Sequence, residues 1–159
     1  MGTRTLIGAS RSQSLPPVLA LRPALKQWIT PLELESLSAA LARGCPPPDL
    51  LGKLRALAAG SLSHRFIEQH CRLFIGLLLA AEHGSFRECT PAERERLLRV
   101  LAYVRKDRDA IPDDQTDGFT DDQREVYAAS VDLAGLLQAF KVWRLRFQVP
   151  VMWHEQVAA

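Results

Sequence analysis

Three times the chain sets a helix-start signal directly ahead of an apolar pattern with spacings of three and four. Thr30-Pro31-Leu32-Glu33 offers a capping hydroxyl, a proline suited to the first helical position and a glutamate placed to close a capping box. Thr90-Pro91-Ala92-Glu93 repeats the signal, and Thr120-Asp121-Asp122-Gln123 is a third version. Behind the first, Leu34, Leu37 and Leu41 share a face of a helix that should stop at Gly44. Cys45-Pro46-Pro47-Pro48 forms a rigid connector, and Pro48-Asp49 opens a second helix with Leu50, Leu51, Leu54, Leu57 and Ala58 inward, ending near Gly60. A longer helix starts at Ser61 or Ser63 and reaches His83; its second half is apolar all round, the mark of a central element. Thr90 leads into Leu97, Leu98, Leu101 and Val104, a pattern that fades after Lys106. From Thr120, Val126, Ala129, Leu133, Leu136, Phe140, Trp143 and Phe147 form one stripe, read as core or as a seam for a partner helix. Pro150 ends it, and no run alternates as a strand would. The expected fold is all-α: a single compact bundle of five to six helices with a long C-terminal helical hairpin.

Length and composition bound this reading. The 159 residues suit one domain, and 47% apolar with 24% charged residues is ordinary for a globular chain that needs no metal or disulfide to hold it together. Residues 1–15 read as a flexible N-terminus, 16–149 as the helical domain with its hairpin at 95–147, and 150–159 as a tail. Arg4 and Arg11 are followed by no apolar run of signal-peptide length before Pro16 and Pro17. Leu73–Ala81, the most apolar stretch, spans about 13 Å as a helix, under half of a bilayer core, so a membrane role is not expected. Cys45, Cys71 and Cys89 are odd in number and lack metal-binding spacing, which suits reduced thiols and a cytoplasmic location. A net charge of +2 is too small to argue for nucleic acid.

Charge is nevertheless uneven. From Asp107 to Asp122 there are seven Asp and one Arg, a charge of −6, so the remainder of the chain carries +8. Pro112 pushes Ile111 out of helical geometry, and Asp121 and Asp122 fall in the first turn of the next helix, where the macrodipole favours anions. Asp109-Ala110-Ile111-Pro112-Asp113, then Gly118-Phe119-Thr120-Asp121-Asp122 and an apolar helix, resembles the YkvA-like bacterial domain of unknown function over about residues 95–145. The resemblance implies a helical hairpin and no defined chemistry. This chain has Asp107 where the family often has Pro, and a polar loop at Asp114, Gln115, Thr116 and Asp117 where membrane-associated members are apolar.

Asp113, Gln115, Asp117, Gly118 and Asp121 also fall at positions 1, 3, 5, 6 and 9 of an EF-hand-type loop, but Arg124 stands where a bidentate Glu belongs. A Mg²⁺ or Ca²⁺ ion on Asp113, Asp117 and Asp121 is therefore the second reading of the window; the first is a turn pinned by Asp side chains. His64 and Glu68 share a helical face and read as a surface pair. Arg94, Arg96, Arg99 and Arg105, and separately Lys141, Arg144 and Arg146, make small basic faces read as solvated surface. No nucleophile, phosphate-loop or metalloprotease motif occurs. The expected function is a non-catalytic bacterial interaction or regulatory module without cofactor. It would offer an acidic inter-helix turn, with Asp109, Asp113, Asp117, Asp121 and Asp122 as binding residues, to a protein partner; a homodimer through the C-terminal helix is a further partner reading. The alternatives are a metal-dependent enzyme using the Asp109–Asp122 carboxylates in phosphoryl or hydrolytic chemistry, and a peripheral membrane protein.

Overall fold

The computed structural model describes residues 29–84, 86–106, 119–149 and 153–154. The expectations for residues 1–28, for the acidic segment 107–118 and for residues 150–152 and 155–159 lie outside the described residues. Among the described residues there are six helices and no strand: α1 (Pro31–Ala42), α2 (Pro48–Ala58), α3 (Leu62–His83), α4 (Pro91–Arg105), α5 (Thr120–Asp132) and α6 (Ala134–Phe147).

The first start signal works as its chemistry dictates. Glu33 N–H donates to the Thr30 hydroxyl at 3.2 Å, and Thr30 N–H donates to the Glu33 carboxylate at 3.1 Å. At α4 the Glu93 N–H donates to Thr90 Oγ1, whose own hydroxyl donates to the Glu93 carboxylate at 2.8 Å. Gly44 ends α1 with φ of +73°, a conformation that glycine enters freely. The third signal behaves differently. Phe119, not Thr120, stands at the cap of α5 and offers no side-chain bond, because the chain enters one residue earlier and turns Asp121 and Asp122 into the interior.

α3 is the central helix, packed against α1, α2, α4 and α5. Ile67, Phe74, Ile75 and Leu77 are fully buried and meet Leu37, Leu50, Leu54, Leu97 and Leu101 from the surrounding helices. Leu51 is only half-buried and Ala58 is exposed, so the inward face of α2 is narrower than its apolar pattern. α4 and α5 pack on each other across the acidic segment. The long final helix expected to Phe147 is broken at Leu133, where φ is −107° and ψ is 21°; Leu133 N–H still bonds Ala129 O, and Leu137 N–H bonds Leu133 O. Ala134-Gly135 follows directly, and glycine at that point lowers the resistance of the helix to bending.

Beyond that bend α6 is fixed by aromatic packing. Phe140 meets Phe86, on the α3–α4 connection, edge to face at 5.4 Å; Trp143 lies 5.5 Å from Phe86 and stacks on Phe140 at 5.9 Å. The stripe from Val126 to Phe140 is therefore core, Trp143 is half-buried, and Phe147 emerges into solvent. Trp153 returns to the body: its N–H donates to Arg72 O at 3.1 Å, so this residue of the expected tail is part of the packed structure.

Candidate functional site

Lys53 sits beside Leu50 and Leu54 on α2, at the edge of the face that α2 buries. From there its ammonium reaches described residues on both sides of 107–118 in the sequence. Nζ donates to the Lys106 carbonyl at 3.0 Å, lies 3.5 Å from an Asp122 carboxylate oxygen and stands 5.5 Å above the Phe119 ring. Asp122 is fully buried. Beside it, Tyr103 of α4 donates its hydroxyl to Asp121 at 2.7 Å, and Glu125, one turn on, is buried as well. On α3, Arg72 donates through Nε to Glu68 at 2.5 Å and through Nη1 to the Trp153 carbonyl at 3.3 Å. Cys71 lies between these groups with no exposure; burial, and then the Asp122 charge, push its thiol far above the ordinary range, so it stays protonated.

This interior accounts for several sequence-derived candidates. Asp121 and Asp122 are buried, not exposed at the surface. Asp109, Asp113 and Asp117 lie outside the described residues. Among the described residues no group of three or more His, Cys, Asp or Glu side chains is placed to hold a metal ion. Glu68 is not half of a surface pair with His64: it is buried against Arg72, while His64 meets the Phe119 ring edge-on at 4.8 Å. The Glu68–Arg72 spacing of four was a readable signal for that pair. Nothing in sequence placed Lys53 or Tyr103, because both act across helices.

The α4 basic face is used within the fold. Arg94 donates to Ser38 and Glu82, Arg96 pairs with Asp132, Arg99 with Glu95 and Arg105 with Asp49 at 2.7 Å. Arg105 and Lys106 also wall an open cleft of about 390 Å³ with Glu33, Asp49 and Leu32. Its charges are matched across it, Lys106 to Glu33 at 3.1 Å and Arg105 to Asp49. Burial alone would raise the Asp49 carboxyl, but the Arg105 guanidinium and nearby backbone N–H groups outweigh it and hold Asp49 below the ordinary carboxylate value.

α6 is the exception to this internal pairing. It contains no acidic residue, and Lys141, Arg144 and Arg146 make no ion pair among the described residues; the Arg146 guanidinium lies over the Phe147 ring. Its solvent face carries Val142 at 57% and Leu145 at 67% exposure; Val131, on α5 before the bend, is exposed as well. On α6, Gly135, Gln138, Val142 and Leu145 are all exposed at spacings of three and four, the geometry of a narrow helix–helix seam. The sequence singled out the opposite stripe because its residues are larger; the exposed one contains a glycine and a glutamine and does not stand out as apolar.

No family model, curated protein or solved structure matches the chain. Among the described residues no helix is long and apolar enough to cross a membrane.

Proposed function

We propose that the chain is a non-catalytic helical interaction module whose outer α6 face receives a protein partner. The observation that carries this reading is the exposed apolar pair Val142 and Leu145 on α6, whose other side is anchored by the packing of Phe140 and Trp143 on Phe86. An apolar line held rigid from beneath loses little conformational freedom when a partner covers it. Asp121 and Asp122 are buried, so the reading is built on the exposed face of α6. Two helices flanking residues 107–118, in the order that the YkvA-like resemblance implies, support reading residues 95–145 as a hairpin of that kind whose role is structural. Three free thiols, one of them buried, suit work in the cytoplasm.

A photo-crosslinking residue placed at Val142 or Leu145, in cells that express the chain natively, tests this. The expected result is a discrete heteromeric adduct from both positions and none from Glu35, an exposed site on α1. Equal labelling from all three positions, or none from any, contradicts the proposal.

A further inference from the structure

We infer that the occupant of this face is an amphipathic helix whose apolar seam is flanked by carboxylates; the inference rests on the docking reading above. With Val142 and Leu145 in the seam, Lys141 precedes the first and Arg146 follows the second, so one cation borders each side of the line. In a helix–helix seam these are the flanking positions whose charges choose the partner. Both are exposed, neither has a carboxylate partner among the described residues, and α6 itself supplies none. A partner with Glu or Asp at its own flanking positions places opposite charges along both borders and meets no like charge.

The same arrangement argues against two other occupants. A second copy docked α6 to α6 brings Lys141 and Arg146 against the same cations, a repulsive border. An anionic bilayer favours a broad apolar face, whereas this one is a single line interrupted by Gln138. Gly135 marks the near end of the line, and a β-carbon built there meets nothing within 4 Å, which leaves room for a helix to approach closely.

Calorimetric titration of the whole chain with two synthetic peptides of about three heptads decides the matter. The peptides share one Leu/Ile seam and differ only in carrying Glu or Lys at every flanking position. The Glu-flanked peptide is expected to bind at least about tenfold more tightly, with a preference that shrinks as salt rises. In the Lys141→Glu, Arg146→Glu double variant, both exposed positions whose folding is checked by circular dichroism, the preference reverses. Equal affinities for the two peptides overturn the inference. So does a concentration-dependent dimer abolished by Leu145→Ser, or co-sedimentation with phosphatidylserine vesicles in place of peptide binding. If the Val142 and Leu145 crosslinks persist while the charge preference is absent, only the identity of the partner fails. If the crosslinks are absent, the docking face itself fails.

Discussion

Replacing Lys53 with methionine takes the ammonium from the buried Asp122 carboxylate and from the Lys106 carbonyl in one step. Breaking a buried pair from one side costs about 3–5 kcal/mol, because the remaining charge stays desolvated. The Lys53→Met, Asp122→Leu double variant is expected to recover most of that loss, since a well-packed apolar pair of similar volume is close to neutral. Urea unfolding of the two single variants and the double variant reads this directly; a double variant as unstable as the singles refutes the pairing. Asp49 gives a smaller effect with a defined sign. Its folded pKa lies below the ordinary 3.8, so its contribution is present above that value and lost as pH falls through the folded one. The pair is largely exposed and salt weakens it, so Asp49→Asn should flatten only the acid limb of the stability curve, and less so in high salt. Cys71 should resist thiol reagents until the chain unfolds, while the exposed Cys45 reacts in the native state. None of these residues announced its role in sequence. Lys53 stands one residue before Leu54 in an ordinary amphipathic pattern, and Lys106, Phe119 and Asp122 lie more than fifty positions away.

At the scale of elements the sequence was far more legible, because caps and apolar spacing are local. Thr30, Ser61 and Thr90 all cap the helices they precede. Thr120 carries the same type of signal and is not a cap, because Tyr103 and Lys53 draw the two following aspartates inward and tertiary contact overrides the local preference. The paired test is Thr30→Ala against Thr120→Ala. The first should cost about 1 kcal/mol and the second only a few tenths, since no capping bond is lost; equal losses would restore Thr120 as the cap. The break at Leu133 was hidden by a continuous stripe: helical spacing reports which residues share a face and is insensitive to a bend that keeps the hydrogen-bond ladder nearly intact. Gly135 lies open to solvent beside this bend, so Gly135→Ala should raise thermal stability by up to about 1 kcal/mol.

Across the whole molecule, charge is sorted by use. The α4 arginines are paired with other elements or with their own helix, the α5 carboxylates Asp121 and Asp122 are turned inward, and Lys141 and Arg146 of α6 stand exposed beside an apolar line. Sequence composition showed the imbalance and pointed to the acidic window as the place of contact. Only packing reveals that two of those aspartates serve the interior and that Lys141 and Arg146 face outward with no ion pair among the described residues. The most direct test is an amide NMR titration of the ¹⁵N-labelled chain with the Glu-flanked peptide. Docking on α6 predicts that the largest shifts run along Gln138, Val142 and Leu145, with Asp121, Asp122 and the Arg105–Lys106 cleft unmoved. Shifts centred on the start of α5 or on that cleft, with α6 silent, would contradict it.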